Sequence, residues 1–474
     1  MTLPRLWAFL AVGLPVLAAL IANLPSVDLT YHLRAGAEIL AGNGIPTVDT
    51  WTFSAAGTPW TDQQWGAQVI LGGVYQLVGW TGLVILRAAL IGVIFGCLFL
   101  IGVRRGLGMR RASWLTLAAF IVSAVALGLR PQLIGMALFA IQLLLVTDRR
   151  AHPNRLWAIP VLVLVWANVH GSFFLGPLVL GLAWLEDLHD HVPRPHRVLL
   201  IAVVSAAAAC VTPFGPAVWL YAVGLSTNPE VTARITEWQP TSLRSIPGIL
   251  FFGSALAVVV LIARRGRVTP WPTLAWLAVF FLLGAYAIRG VAWWPLGAVA
   301  AIAGVLVTGP DETARPEVLG SPLMRMLNVV VAGAIVLVGI ALLPIWRPID
   351  PDLEAPVGVV GIAPPGITGA LRKTAVAGDR LFNPQPWGSW FEFALPDLPV
   401  AIDSRIELFP AATWDAYENV VAGGDGWAKQ LADWGVTMIV VEAGETKMAD
   451  RLVAAGWRSV YSDSDGSIMV APDR

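Results

Sequence analysis

The sequence is poor in charged residues. They make up 13% of its 474 residues, about half the share of a typical soluble domain. With 57% hydrophobic residues and a mean hydropathy of +0.70, this scarcity excludes an ordinary soluble protein and indicates a membrane protein. The formal net charge is zero, so the chain has no excess of the basic residues that mark a nucleic-acid-binding protein. We therefore expect no nucleic-acid partner.

Cysteines and short catalytic motifs are also scarce. The two cysteines, Cys97 and Cys210, lie inside apolar runs, which favours small buried hydrophobic residues over a disulfide or a metal site. The sequence has no GxGxxG motif before a helix, no GKS or GKT, no HExxH and no CxxC. No motif that specifies a reaction by itself is therefore present.

Long apolar segments, by contrast, are abundant. A bilayer core needs about 20 apolar residues per helix. Eleven candidate spans lie near residues 7–24, 80–103, 112–129, 131–146, 156–169, 173–188, 198–211, 246–263, 271–288, 290–307 and 327–345. Residues 66–79 are apolar but too few to span, which favours an interfacial or re-entrant helix. The predicted fold is mainly α, a polytopic membrane helix bundle of about 11 spans.

Basic loops follow every second span. They occupy residues 104–111, 148–155, 189–197, 264–267 and 313–325. Because Lys and Arg are retained on the cytoplasmic side, this alternation predicts a cytoplasmic amino terminus and an extracytoplasmic carboxyl-terminal part. We expect the first span to remain as an anchor, since no good small-x-small cleavage site follows it.

Several ionisable residues fall on the predicted outer side. They are Asp28, His32, Asp49, Asp62, Arg130, His170, Glu237 and Arg289. Arg130 and Arg289 run against the positive-inside bias, which suggests an anionic ligand such as phosphate. For His170 and Glu237, an ordinary position at a helix end is the alternative.

The first outer loop holds the densest group of these residues. Asp28 and His32 are four residues apart, so in a helix they share one face. Such a pair can orient a general base, bind a divalent cation or serve only as a structural pair. Leu29 and Leu33 belong to an apolar stripe that fits a helix lying at the membrane interface. Asp62 is the further carboxylate considered for a role in the site.

Beyond residue 350, charged residues and turn formers return. Short strand-like runs alternate with helical stretches and predict a small α/β domain outside the membrane. We place the bundle, with a first outer loop at 25–79, in residues 1–346 and this domain in 347–474. Asp403 and Arg405 follow a predicted strand, where α/β sheets bind ligands. An ordinary surface turn is the alternative for these two residues.

Two stretches carry a resemblance to a known superfamily. "DLTYHLRAGAEILAGNGIPTVDTWTFSAAGTPWTDQQW" after the first span, and "FNPQPWGSW…AIDSRIELF" in the tail, resemble bacterial membrane proteins of the GT-C glycosyltransferase superfamily. Its members include protein O-mannosyltransferases and oligosaccharyltransferase catalytic subunits. The resemblance implies a multi-pass protein of a bacterial-type plasma (inner) membrane and a polyprenyl-phosphate-linked sugar as a partner. It also implies a functional carboxylate just after the first span, which here is Asp28.

The resemblance thus implies a glycosyltransferase that moves a sugar from a polyprenyl-phosphate donor to an acceptor on the outer face of the membrane. A base must take the proton of the acceptor hydroxyl, and cations must hold the leaving phosphate. Asp28, with His32, or Asp62 would serve as the base. The leaving phosphate would be held by Arg130, His170 and Arg289, or by Mn²⁺ or Mg²⁺ bound to Asp28 and Asp62. A lipid-linked sugar transporter or flippase and a non-catalytic envelope scaffold are the alternatives.

Overall fold

A computed structural model describes residues 1–25, 27–265, 268–307 and 320–474. Ser26 of the first outer loop, and parts of the basic loops predicted at 264–267 and 313–325, lie outside the described residues. The helices are α1 Leu3–Ile21, α2 Leu29–Glu38, α3 Trp65–Arg104, α4 Met109–Ser123, α5 Pro131–Thr147, α6 Ile159–Ala167, α7 Leu175–His189, α8 His196–Ala208, α9 Ala217–Thr227, α10 Pro229–Arg234, α11 Ile246–Ala263, α12 Trp271–Tyr286, α13 Trp294–Ile302, α14 Pro322–Ala341, α15 Pro365–Thr374, α16 Gly388–Ala394, α17 Ala411–Ala422, α18 Trp427–Asp433 and α19 Thr446–Ala454. The strands are β1 Ile349–Asp350, β2 Ala355–Pro356, β3 Leu381–Phe382, β4 Met438–Glu442, β5 Arg458–Ser462 and β6 Gly466–Val470.

The apolar helices coincide with the predicted spans. Six helical segments are long and apolar enough to cross a membrane: Leu3–Ile21, Trp65–Arg104, Met109–Ala126, Gly171–His189, Ile246–Ala263 and Pro322–Ala341. Five shorter apolar segments occupy Pro131–Thr147, Pro153–Ala167, His196–Ala208, Trp271–Tyr286 and Ile288–Ile302. Each of the eleven predicted segments overlaps one of these. The chain is a multi-pass membrane protein by this pattern, and its orientation stays a prediction.

The longest helix, α3, is broken at Gly79. This residue has φ 65° and ψ −155°, a backbone conformation that is essentially restricted to glycine. The break separates residues 65–78 from residues 80–104. It therefore divides α3 where the sequence separates the short apolar segment at 66–79 from the span that begins at residue 80.

Two compact units make up the chain. Residues 1–22 and 84–343 form the first, here called the helical unit. In it, α1 packs against α4 and α14, α8 packs against α6 and α7, and α12 packs against α13. Residues 23–83 and 344–474 form the second, here called the α/β unit. The residues of the first outer loop thus pack with the carboxyl-terminal part of the chain.

A mixed four-stranded sheet organises the α/β unit. Its strand order is β3-β4-β6-β5, with β3 parallel to β4 and the other pairs antiparallel. Val400 forms a parallel bridge to Leu381 of β3 and another to Thr52 of the first outer loop. The amide of Phe53 also donates to the Val400 carbonyl at 3.0 Å. The loop is therefore hydrogen-bonded to the edge of the domain predicted for the tail.

Helix α2 forms where the sequence predicts it, but protein covers more of it than the predicted apolar stripe, and its position relative to the membrane stays a prediction. Leu29 and Leu33 are buried, and so are Tyr31 and His32 on other sides of the helix. A Cβ on Gly36 would lie 2.1 Å from the Gln68 carbonyl oxygen, so only glycine allows this close approach to α3. Helix α2 is therefore a core helix of the α/β unit.

Candidate functional site

A fully buried arginine, Arg405, lies at the centre of the α/β unit. Its Nε donates to Asp403 Oδ2 at 2.8 Å, and its Nη2 donates to Asp49 Oδ1 at 2.8 Å. Nη2 also lies 3.5 Å from Glu392 Oε1. The rings of Trp51 and Trp60 lie 4.4 and 4.5 Å from the guanidinium carbon. One cation thus joins three carboxylates and two indole rings, which we call the Arg405 cluster.

The Arg405 cluster contains three of the predicted site residues. Asp49, Asp403 and Arg405 are each at most 1% exposed. Asp49 also accepts from the backbone N–H groups of Trp51 and Thr52. Because their polar atoms bind one another and are shielded from solvent, these residues hold the outer loop on the tail. The interpretation of Asp403 and Arg405 as a ligand-facing pair is therefore wrong.

Glu392 is the member of this cluster that the sequence analysis missed. It is fully buried on α16, and neither carboxylate oxygen has a hydrogen-bond partner among the described residues. Burial, with the nearby charge of Asp403, raises the pKa of Glu392 well above its usual range. No local motif marks Glu392, because its role depends on a contact with a residue 13 positions later.

Asp62 lies deep in the α/β unit, just before α3. Its side chain accepts a hydrogen bond from Gln68 Nε2 at 2.7 Å, and the residue is 3% exposed. Burial raises the pKa of Asp62 to about 7, although Gln68 and Arg405 oppose the shift; Glu407 adds to it. A carboxyl group whose pKa lies near neutrality is suited to accept and release a proton at physiological pH.

Glu407 connects Asp62 electrostatically to Asp28. It follows Arg405 by two residues and lies half-buried. Burial raises the pKa of Glu407, and the charges of Asp403 and Asp28 raise it further. Glu407 thus acts on the ionisation of Asp62 and is itself affected by Asp28. The fold therefore groups predicted residues Asp28 and Asp62 with a third carboxyl group that we did not predict.

Asp28 and His32 open helix α2. Asp28 is the N-cap residue and is half-buried, and its carbonyl accepts from the His32 amide at 3.3 Å. His32 is 1% exposed, and its ring lies 4.0 Å from that of Tyr31. Of the pair, Asp28 is therefore the residue with access to solvent.

In the helical unit, three predicted residues form a second polar group. Arg130 Nη1 donates to Glu237 Oε1 at 2.5 Å, and Arg289 stacks over the ring of Trp238 at 5.5 Å. Although burial opposes it, Arg130 and Arg289 hold the pKa of Glu237 below its usual range. Of the three predicted side chains, two are guanidinium groups and one is a carboxylate that both of them affect. Guanidinium groups are the cations expected of an anion site.

His170, the remaining candidate, caps a short helical turn. Its Nδ1 accepts from the Ser172 amide at 3.1 Å and lies 2.7 Å from the Ser172 hydroxyl. The ring is 7% exposed. These contacts correspond to the helix-end role that was the alternative for this residue.

A metal centre was expected at Asp28 and Asp62. In the parts of the chain that the structure describes, no group of three or more His, Cys, Asp or Glu side chains is placed to hold a metal ion. The requirement for Mn²⁺ or Mg²⁺ stays a prediction.

No family model and no curated protein sequence matches the chain. Comparison with solved structures, in contrast, gives clear similarities over nearly the whole chain. They confirm the predicted fold, a polytopic helix bundle with a small carboxyl-terminal α/β domain, which this chain shares with the following solved structures.

Two of these structures hold a lipid phosphate. Oligosaccharyltransferase AglB from Archaeoglobus fulgidus, in complex with an inhibitory peptide and a dolichol-phosphate, is 12% identical with a TM-score of 0.58, covering 98% of this chain and 74% of that chain. ArnT from Cupriavidus metallidurans, bound to undecaprenyl phosphate, is 16% identical with a TM-score of 0.52, covering 97% of each chain. Another AglB structure, a complex with Zn and sulfate, is 13% identical with a TM-score of 0.55, covering 98% of this chain and 73% of that chain.

Proposed function

We propose that this protein transfers a sugar from a polyprenyl-phosphate donor to an acceptor at the outer face of the membrane. The observation that carries the proposal is the fold, which matches AglB and ArnT over 97% or more of this chain. Those two proteins were solved with dolichol-phosphate and undecaprenyl phosphate. An acidic group directly after the first span supports the same chemistry.

Asp28 is the proposed general base. Of the two carboxylates predicted as the base, Asp28 is half-buried, so an acceptor hydroxyl can reach it, whereas Asp62 is 3% exposed. The base accepts the proton as the acceptor oxygen attacks the anomeric carbon, and the lipid phosphate leaves with the electrons of the broken bond. Glu407 and Asp62 lie close enough to influence the charge of this site. We infer that His32, buried on the first turn of α2, holds the start of this helix and with it Asp28.

Arg130 and Arg289 are proposed to hold the phosphate of the donor. Charge builds up on the leaving phosphate, and guanidinium groups stabilise it through paired hydrogen bonds. Glu237 already binds Arg130, so the donor phosphate competes with this carboxylate for the guanidinium group. His170 supports this part of the helical unit through the turn that it caps. Mn²⁺ or Mg²⁺ would add positive charge at Asp28 and Asp62 if the reaction requires a metal.

The test is a sugar-release assay on the purified full-length protein in detergent. Polyprenyl-phosphate sugars are supplied with and without Mn²⁺ or Mg²⁺, and release of sugar from the lipid is measured. We expect Asp28→Asn to lower kcat by about 100-fold or more, the usual effect of removing a general base. Asp450→Asn, an exposed carboxylate on α19, is the matched control and should be unchanged.

Two outcomes would redirect the proposal. Full activity of Asp28→Asn together with loss in Asp62→Asn would make Asp62 the base. Absence of both turnover and binding with every labelled donor would contradict the glycosyltransferase function and favour a scaffold. Movement of an intact donor across vesicles, without release of its sugar, would instead indicate a transporter or flippase.

A further inference from the structure

A cavity of about 320 Å³ lies in the helical unit, at helix ends that the sequence predicts to be cytoplasmic. Its polar lining consists of Arg105, Glu186, Arg265, Thr269, Thr273 and Trp276. Arg149, which contacts Glu186, follows the carboxyl end of α5, whereas Arg130 precedes the start of that helix. The 17 residues of α5 make it about 25 Å long. The cavity is therefore remote from the proposed donor site.

The charges around this cavity leave a positive excess. Glu186 lies 3.7 Å from Arg105, 3.1 Å from Arg149 and 3.8 Å from Arg150. Asp187 and Asp190 neutralise further charge on Arg149 and Arg150, at 2.8 and 2.7 Å. Arg265 contacts a backbone carbonyl, that of Leu306. Among the described residues, four arginines thus face three carboxylates, and the lining contains two arginines and one carboxylate, Glu186.

Two buried donors at this cavity have no hydrogen-bond partner among the described residues. Trp276 is 5% exposed, and its indole N–H is unpaired. The Nε–H of Arg105 is unpaired as well. A buried donor left unpaired costs about 1–3 kcal/mol. A ligand that offers only acceptors would satisfy both groups.

Helix α12 adds a third source of positive potential. It begins at Trp271, directly after the cavity-lining segment 268–270, and its N-cap residue Pro270 provides no side-chain cap. The N–H groups of Thr273 and Leu274 already donate to the Pro270 carbonyl, so the contribution of this helix end is the positive end of its dipole, which attracts anions. The hydroxyls of Thr269 and Thr273 provide further donors at the same end. The cavity is therefore rich in donors and carries an excess of positive charge.

We propose that this cavity binds a phosphate group, carried either by an anionic lipid headgroup or by a free phosphate. Phosphate offers only acceptors, carries the complementary charge and is bound well by guanidinium groups. The remaining lining, which includes Ala300, Val305 and Val307, is apolar and is compatible with the ester-linked part of a lipid. The inference does not depend on the proposed function, because no step of sugar transfer involves these residues.

The test measures binding to the full-length protein in detergent without any donor sugar. Native mass spectrometry compares phosphatidic acid with phosphatidylcholine, and thermal unfolding is followed with inorganic phosphate against chloride at equal ionic strength. We expect a phosphate probe to bind wild type selectively and to bind the double variant Arg105→Gln/Arg265→Gln about tenfold more weakly, since two charge-assisted contacts are lost. Arg155→Gln removes an exposed arginine of a neighbouring basic loop that is not in the lining and should bind as wild type does.

A second variant keeps every charge. Gly304 lines the cavity, and the nearest atom to a Cβ built there is 3.9 Å away, so Gly304→Leu should fill the space and weaken binding. If the double variant fails to fold, the binding measured for Gly304→Leu tests the proposal by itself. Selective binding of phosphatidic acid that both changes weaken supports a lipid headgroup, and stabilisation by inorganic phosphate alone supports a free phosphate. Equal behaviour of wild type, the double variant and Gly304→Leu with both probes would overturn the proposal.

Discussion

The ionisation of Asp62 leads to a quantitative prediction about stability. Burial raises the pKa of Asp62 from 3.8 to about 7. Below pH 3.8 the carboxyl group is protonated in both the folded and the unfolded chain, so its burial has no electrostatic cost. Between pH 3.8 and 7 the unfolded chain releases the proton while the folded chain keeps it, and stability falls by about 1.4 kcal/mol per pH unit. Above pH 7 the accumulated loss is constant at ~4 kcal/mol.

Asp62→Asn removes this dependence and keeps the shape of the side chain. The amide oxygen can still accept the hydrogen bond that Gln68 Nε2 donates at 2.7 Å. The free energy of unfolding of the variant, minus that of wild type, should therefore rise by ~4 kcal/mol between pH 4 and pH 8. For a unit of this size, this corresponds to a relative change in Tm of roughly 10 °C.

The assay is thermal unfolding in detergent across that pH range, at constant ionic strength. Asp450→Asn, on the surface of the same unit, controls for general effects of pH and should show a flat difference from wild type. A flat difference for Asp62→Asn as well would refute the reasoning, because Asp62 would then titrate alike in the folded and unfolded chains.

Three further changes test other parts of the fold. Arg405→Gln leaves buried carboxylates without their cation and should lower the free energy of unfolding by about 3–5 kcal/mol. Arg380→Gln, at an exposed arginine of the same unit, should change the free energy of unfolding by less than about 1 kcal/mol. Equal losses of stability in the two variants would contradict a central role for the buried cation. Gly79→Ala should lower the free energy of unfolding by about 1–3 kcal/mol, because alanine is strained at φ 65° and ψ −155°. Gly96→Ala in the same helix should leave stability unchanged or raise it. Thermal unfolding of the two variants tests this difference. Glu237→Gln removes the carboxylate that neutralises the two arginines beside it and should lower the KM for the lipid-phosphate donor about threefold to tenfold, while an unchanged or higher KM would place the phosphate elsewhere.

The apolar segments were predictable because hydrophobic length is a local property of the chain. All eleven segments correspond to helices, and the distinction between residues 66–79 and the span that follows corresponds to the break at Gly79. In the tail, the predicted alternation of short strands and helical stretches is present as α17, α18, β4, α19 and the hairpin of β5 and β6. Composition and periodicity are sufficient for features of this kind.

The partners of buried polar residues could not be predicted in the same way. Asp49 and Arg405 are 356 residues apart in the chain and 2.8 Å apart in space, and nothing local specifies such a contact. Because such long-range contacts cannot be predicted locally, Glu392 and Glu407 were missed. For the same reason, Asp403 and Arg405 were interpreted as ligand-facing. Helix α2 was placed at the interface because its stripe of leucines resembles a lipid-facing surface, whereas tertiary packing covers its other sides too.

The hydrogen bonds between the first outer loop and the Val400 segment determine how late in synthesis the first outer loop can complete its folding. Ser54 and its partner Ala401 are 347 residues apart. At a translation rate of about 5–20 residues per second, roughly 20–70 s pass between their synthesis. During this interval the loop has been synthesised but the sheet edge that it joins has not, and Asp49 has no Arg405 to bind. The proposed site can therefore form only after nearly the whole chain has been made, so a ribosome that stops before Val400 releases a set of membrane helices whose acidic loop is not in place.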